Sequence, residues 1–94
     1  MTTLVWSAGF VRAFRRIARK DPQLIARARD ILAQLSDDPF HPTLRTHKLK
    51  GKLAGSWACS VDYNTRIVFD FVHNPTTNHE EILLLSVGSH DEVY

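Results

Sequence analysis

The sequence contains only one cysteine, Cys59, among its 94 residues, so it cannot form an intramolecular disulfide. No window approaches the roughly 18 apolar residues that a membrane-spanning helix needs. The N-terminus lacks the positively charged segment and long apolar stretch of a secretory signal. With one thiol and no export signal, we expect a protein of the reducing cytoplasm, with no membrane partner.

Metal-site and nucleophile motifs are also missing. Five histidines are present, but no C-x-x-C, H-x-x-x-H or comparable ligand spacing occurs. No serine lies in a G-x-S-x-G context, and Cys59 falls on the apolar face of a predicted strand. We therefore expect no metal, no other cofactor and no covalent nucleophile. Three histidines are assigned to loops without a role: His41, His73 and His79.

A strong charge asymmetry lies behind the net charge of +2. Residues 1–66 carry all 12 Lys and Arg and five acidic residues, which gives +7. Residues 67–94 carry five acidic residues and no Lys or Arg, which gives −5 and restores the total of +2. This split predicts a basic surface that faces an anionic partner, with phosphate as the first candidate. For the arginines on helices, an ordinary solvated face is the favoured explanation.

The first 40 residues predict a short strand followed by a helical hairpin. Thr2–Trp6 is β-prone, and apolar residues then recur with the period of two amphipathic helices. Ser7 is suited to cap the first helix, and Asp21 followed by Pro22 suits the start of the second. Residues 37–39, Asp-Asp-Pro, end it. Because neither helix can hide its apolar face alone, a sheet must cover the hairpin.

The second half of the chain predicts three strands. Residues 57–63 alternate apolar and polar side chains, which turns Tyr63 inward, and a two-residue turn at Asn64-Thr65 leads into strand 66–72. Residues 81–87 are almost continuously apolar, as in a strand with both faces covered. The order β-α-α-β-β-β predicts one α+β domain over residues 1–94, with a small, mostly antiparallel sheet packed on an N-terminal helical hairpin.

A basic run, RTHKLKGKL, occupies residues 45–53 in the long connection between helix and sheet. If it is extended, Lys48, Lys50 and Lys52 point the same way at about 7 Å spacing, which roughly matches successive phosphates of single-stranded RNA. The alternative is a solvated edge strand whose lysines discourage aggregation. The run alone does not decide between them.

The C-terminal segment supplies further side chains with acid–base or stacking capacity, His90 and Tyr94. In an antiparallel hairpin the start of strand 66–72 lies beside the end of strand 81–87. Arg66 and His90 are therefore expected to be neighbours at one edge of the sheet. This places the expected site between the basic run and the C-terminus.

The segments THKLKGKLAGSW, RIVFDF and LLSVGSHDEVY, in this order of elements, resemble the RelE/ParE superfamily of toxin–antitoxin toxins. The resemblance covers almost the whole chain and is closest to RelE- and YafQ-like mRNA interferases. It rests mainly on the L-K-G-x-L-x-G-x-W run and the G-[ST]-H-x-x-[VL]-[YF] ending. It implies a RelE-like fold, metal-independent and ribosome-dependent cleavage of mRNA in the ribosomal A site, and silencing by a cognate antitoxin.

The resemblance also implies roles for individual residues. Two histidines, one arginine and the C-terminal tyrosine match positions at which members of the family act on RNA. The lysines of the basic run match lysines that RelE-like members carry in the same segment. Relatives carry a cation in the last strand just before the glycine, whereas this chain has Leu84–Val87, so that cation is missing or supplied by Arg66 or a lysine. The implied catalytic residues are His90, His47, Arg66 and Tyr94, and the RNA-binding residues, with Arg45 added from the basic run, are Lys48, Lys50, Lys52 and Arg45.

Two other functions stay open at this point. ParE-like relatives share the fold and inhibit DNA gyrase without nuclease chemistry, but they lack the histidine–aromatic ending. A plain RNA-binding module explains the lysines but leaves His90 and Tyr94 without a task. Both toxin hypotheses imply an antitoxin with an acidic, partly disordered segment. A candidate binding surface for that segment is the exposed side of the first helix, which carries Arg12, Arg15, Arg16 and Arg19.

Overall fold

The computed structural model describes residues 2–89, so the predictions for His90 and Tyr94 lie outside the described residues. Two helices precede most of a five-stranded sheet, and two short 3₁₀ turns interrupt the connection between helices and sheet. No helix within the described residues is long and apolar enough to cross a bilayer. The elements are β1 (Thr3–Trp6), α1 (Ala8–Lys20), α2 (Pro22–Asp37), β2 (His47–Lys48), β3 (Trp57–Ser60), β4 (Thr65–Asn74) and β5 (His79–Ser89), with 3₁₀ turns at Pro42–Leu44 and Gly51–Leu53.

The helix boundaries follow the predicted capping residues. The Ser7 hydroxyl accepts a hydrogen bond from the N–H of Phe10 at 3.1 Å. The Asp21 carboxylate accepts one from the N–H of Leu24, also at 3.1 Å, and Pro22 is the first residue of α2. Each bond satisfies a backbone donor that has no partner within its own helix, which is why these residues start helices. The predicted helical hairpin is confirmed.

The sheet has the strand order β1-β5-β4-β3-β2. Neighbouring strands from β2 to β5 are antiparallel, whereas β1 pairs with β5 in parallel. A parallel pair needs a long crossover, and here the crossover contains both helices and the other three strands. The predicted α+β fold with a mostly antiparallel sheet on a helical hairpin is confirmed.

The core lies between the helical hairpin and one face of the sheet. Apolar side chains opposite one another on neighbouring strands form rows across this face, such as Cys59, Ile67 and Val87. Helix residues spaced three or four apart cover these rows. The fully buried large side chains are Phe10, Phe69, Leu35, Leu44, Ile67, Ile82, Leu84 and Cys59.

A β-bulge shifts the alternation within β5. Val68 pairs with Ser86 while the next residue, Phe69, pairs with Leu84, so Leu85 is an extra residue on its strand. The shift turns Ser86 away from the helices and turns the next residue, Val87, into the core. The prediction that residues 81–87 are covered on both faces is wrong, because the helices cover one face only and Leu85 stays half-buried.

The hairpin between β3 and β4 also differs from its prediction. β3 ends at Ser60, and residues 61–64 form a bend instead of continuing the strand to a two-residue turn. The Asp62 carboxylate accepts from the backbone N–H groups of Asn64 at 3.0 Å and Thr65 at 2.8 Å. This local side-chain bonding competes with strand pairing. Tyr63 is consequently 98% exposed, not inward-facing as predicted.

Candidate functional site

His47 and Arg66 share the sheet face that is turned away from the helices, called here the distal face. His47 lies opposite Ala58, which lies opposite Val68 on the next strand. Arg66 precedes Val68 by two residues and therefore leaves the same face. Two strand spacings and two residues along the strand separate the Cα atoms of His47 and Arg66 by roughly 12 Å.

A backbone contact fixes the imidazole of His47. Its Nδ1 lies 2.9 Å from the carbonyl oxygen of Arg45. A carbonyl oxygen can only accept, so Nδ1 must carry the hydrogen in this contact. The neutral ring then presents Nε2 with a free lone pair. His47 is exposed, so Nε2 is accessible to a ligand.

The Arg45 carbonyl is positioned by an uncommon backbone conformation. Arg45 ends the 3₁₀ turn Pro42–Leu44 with φ 53°, in the left-handed region that non-glycine residues seldom occupy. Leu44, just before it, is fully buried and anchors the turn in the core. The charge of Arg45 suggested a role in RNA binding, and the structure adds a role for its carbonyl oxygen.

The guanidinium of Arg66 is held through one of its three nitrogens. Nη1 donates to the carbonyl oxygen of Asp62 at 2.8 Å and to those of Tyr63 and Thr65 at 3.2 Å. Within residues 2–89, none of its hydrogen bonds uses Nε or Nη2. The Nε–H and Nη2–H groups lie along one edge of the planar group, the edge suited to two parallel bonds with a phosphate.

Arg45 and Arg66 line a common depression of about 350 Å³ on the surface. Asp62 and the exposed Tyr63 also line it. The Asp62 carboxylate works against anion binding there, although one of its oxygens is occupied by backbone N–H groups. Two guanidinium groups against one carboxylate leave the depression with a positive balance.

The lysines line a second depression of about 400 Å³. The extended row of three does not form: Lys48 lies in β2, but the chain then turns into the 3₁₀ turn Gly51–Leu53. Gly51 has φ 72°, which is incompatible with an extended strand. The cationic groups nevertheless gather at one place. The residues around the depression are His47, Lys48, Leu49, Lys50, Lys52 and Leu53.

The strand register supports the predicted meeting of the two strand ends. Gly88 lies opposite Arg66, and His90 follows it by two residues in the sequence. His90 and Tyr94 themselves lie outside the described residues, so their place in the site stays a prediction. Ser86 shares the distal face and lies diagonally across from Arg66. The bulge at Leu85 places Ser86 on the distal face, and the periodicity of the sequence does not reveal the bulge.

Two further titratable groups bear on the chemistry. Burial raises the pKa of the Cys59 thiol to about 12, despite the opposing effect of the Arg66 charge. The thiol therefore stays protonated and unreactive at neutral pH. Asp70, on the distal face, has a buried Oδ1 without a hydrogen-bond partner among residues 2–89. Among residues 2–89, no three His, Cys, Asp or Glu side chains come together in a way that could hold a metal ion.

Comparison with known proteins finds similarity in structure only. No protein-family model and no curated protein matches the sequence. The YoeB/ParE toxin from Agrobacterium tumefaciens superposes with a TM-score of 0.77 at 19% identity, covering 95% of this chain and 99% of that chain. YafQ from E. coli superposes with a TM-score of 0.77 at 11% identity, covering 100% and 99%.

A third similar structure is a complex. The toxin–antitoxin complex RelBE2 from Mycobacterium tuberculosis contains a chain that superposes with a TM-score of 0.68 at 16% identity, covering 95% of this chain and 98% of that chain. Coverage is nearly complete in both directions, so the likeness concerns the whole fold and not one motif. The chain therefore has the fold of the RelE/ParE toxin superfamily, as its sequence predicted.

Proposed function

We propose that this protein is the toxin of a type II toxin–antitoxin system and cleaves mRNA on the ribosome, in the cytoplasm, without a metal. The shared fold supports the toxin assignment. The observation that carries the nuclease is the pairing of His47 and Arg66 on the distal face. One presents a bare imidazole nitrogen and the other a guanidinium edge without a hydrogen bond among residues 2–89, and their Cα atoms lie roughly 12 Å apart.

RNA supplies its own nucleophile for this reaction. A base removes the proton of a 2′-OH, and that oxygen forms a bond to the adjacent phosphorus. The bond from phosphorus to the 5′ oxygen of the next nucleotide breaks, and an acid gives a proton to the departing oxygen. The products are a 2′,3′-cyclic phosphate and a 5′-OH end. The protein must supply one base, one acid and cations for the negative charge on phosphate oxygens.

The candidate residues divide these tasks. His47 and His90 transfer protons, because an imidazole ring can both accept and donate one. Arg66 binds the reacting phosphate through Nε and Nη2, and Tyr94 stacks on or orients a base. Arg45 and the three lysines around the second depression hold neighbouring phosphates.

A cognate antitoxin is the proposed protein partner, since one of the similar structures is a toxin–antitoxin complex. Its acidic segment would bind the exposed side of α1. Four arginines there line a depression of about 330 Å³, namely Arg12, Arg15, Arg16 and Arg19. Guanidinium groups spaced three and four residues apart on a helix can pair with carboxylates of a folding segment.

Inhibition of DNA gyrase is the second candidate function, because one of the similar structures carries the ParE name. Expression of the chain in bacteria, followed by mapping of cellular mRNA ends and inspection of the chromosome, separates the two. Cuts phased with codons in translated mRNA support the nuclease. Intact mRNA together with broken chromosomes contradicts it and supports gyrase inhibition.

A further inference from the structure

Three aromatic rings form a cluster beside the lysine depression. Phe40 lies nearly parallel to Phe71, with ring centres 5.7 Å apart and an interplanar angle of 19°. Trp57 meets both rings edge-on at 5.4 Å. Trp57 and Phe71 pack against the core, whereas Phe40 is 58% exposed. One face of the Phe40 ring therefore rests on Phe71, and the other face is turned to solvent.

Hydrogen bonds hold the backbone that carries this ring, and Phe71 and Trp57 pack against the ring itself. The N–H of Phe40 donates to the Asp38 carboxylate at 3.3 Å. The carbonyl oxygen of the preceding residue, Pro39, accepts from the Thr46 hydroxyl at 2.6 Å. A ring already fixed by its neighbours loses little freedom when a ligand stacks on it. The geometry is that of a preformed stacking surface.

Lys48 connects the ring cluster to the lysine depression. Its ammonium lies 5.4 Å from the centre of the Trp57 ring, a cation–π contact. The ammonium and the Phe40 ring centre are thus at most about 11 Å apart, the two 5.4 Å separations laid end to end. One nucleotide, or two neighbouring ones, can span that distance with a phosphate on the ammonium and a base on the ring.

We propose that the exposed face of Phe40 stacks on a base of single-stranded RNA whose phosphate is held by Lys48. The inference rests on the RNA cleavage proposed above and adds a nucleotide-binding position to it. His47 and Lys48 are consecutive residues of a strand at the sheet edge, so their side chains leave opposite faces. The RNA therefore passes round this edge, from Phe40 over Lys48 to the distal face.

Stacking on Phe40 contributes affinity and position without selecting a base, because every base has a π face. Cationic side chains beside an aromatic ring also favour an anionic occupant over an apolar peptide. Because the acidic antitoxin segment is assigned to the arginines of α1, the ring is assigned to the RNA.

The test measures binding of an uncleavable 2′-O-methyl RNA oligonucleotide to the whole chain. Phe40→Leu keeps an apolar cover over Trp57 but removes the π face, and we expect about 10- to 100-fold weaker binding. Phe40→Trp keeps a π face at this position and should bind as tightly as the unmodified protein. Trp6→Leu is the matched control, since Trp6 is also a partly exposed aromatic residue but lies at the opposite sheet edge. Thermal unfolding verifies that each variant is folded.

A series of oligonucleotides with one abasic position each locates the stacked base. One of them should weaken binding to the unmodified protein and cause no further loss with Phe40→Leu, since both changes remove the same contact. Unchanged affinity of Phe40→Leu overturns the stacking site and leaves the nuclease intact, provided that the unmodified protein binds and cuts RNA. If the unmodified protein does not bind the oligonucleotide, the stacking site falls, whereas the nuclease falls only if cellular mRNA also stays intact. If Phe40→Leu weakens antitoxin binding but leaves RNA binding unchanged, the ring belongs to a protein interface and the stacking site is overturned.

Discussion

The Nδ1 atom of His47 lies 2.9 Å from the carbonyl oxygen of Arg45. This contact determines which imidazole nitrogen can exchange a proton with a ligand, because the carbonyl requires a hydrogen on Nδ1. It also links the chemistry to a backbone detail, the left-handed conformation of Arg45 at the end of a 3₁₀ turn. The distal face thus has a histidine of defined orientation two strands away from Arg66.

The role of His47 predicts a large kinetic effect with little effect on folding. His47→Ala should lower RNA cleavage by about 10²- to 10⁴-fold, the usual contribution of one acid–base group. The side chain is exposed, so the midpoint of unfolding should barely change. His79→Ala, at an exposed position at the start of β5, is the control and should keep full activity. Wild-type cleavage rates in His47→Ala would remove this residue from the mechanism.

The hydrogen bonds of Arg66 predict that lysine cannot replace it. Arg66→Lys keeps the charge but cannot bind the turn carbonyls and present two parallel donors at the same time. We expect cleavage to fall by roughly 10²- to 10³-fold, the effect of losing one transition-state donor. The comparison variant is Arg29→Lys on the exposed side of α2, which should behave as wild type. Equal rates for both variants would show that Arg66 acts as a point charge only.

Ser86 offers a test by gain of function. It occupies the distal face diagonally across from Arg66, in the strand where relatives of the resembled family carry a cation. Ser86→Arg should therefore raise the cleavage rate, by up to about 10²-fold if the new guanidinium reaches the phosphate. Ser86→Gln has similar polarity without charge and should not. A slower or unchanged Ser86→Arg enzyme would contradict the proposed position of the reacting phosphate.

The buried thiol of Cys59 predicts a pH dependence of stability. Burial raises its pKa from 9.0 to about 12, so the folded state keeps the proton to a higher pH than the unfolded chain. The contribution is complete below about pH 9 and is lost as the pH rises toward 12, at up to about 1.4 kcal/mol per pH unit. Urea unfolding at increasing alkaline pH should show this slope in wild type and a smaller one in Cys59→Ala. Identical slopes would mean that the thiol is hydrated.

Local patterns predicted most of the fold. Ser7, Asp21 and Pro22 start the helices because each satisfies or removes a backbone donor within one turn, which the sequence shows directly. The bend after Ser60 forms because the Asp62 carboxylate binds backbone N–H groups that would otherwise pair in the strand. The alternation of apolar and polar residues does not reveal this competition. The bulge at Leu85 depends on how two strands fit together, and an apolar run does not encode it.

The candidate site was predictable in part for the same reason. The sequence identified His47, Arg66 and the lysines as chemically capable residues. It did not show that His47 and Arg66 share a face, because that requires the register of β2 against β3 and of β3 against β4. It also left open an extended lysine row, which the positive φ of Gly51 prevents.

Removing the nucleophile from the substrate tests the proposed cleavage reaction itself. Ribosomes are programmed with an mRNA that carries a single 2′-deoxy nucleotide at the cut position, and the products are compared with those of the all-ribose mRNA. If the 2′-OH is the nucleophile, the ribose mRNA yields a 2′,3′-cyclic phosphate and a 5′-OH end, and the 2′-deoxy mRNA is not cut there. Cleavage of the 2′-deoxy mRNA at the same bond, or 5′-phosphate ends, would contradict attack by the 2′-OH.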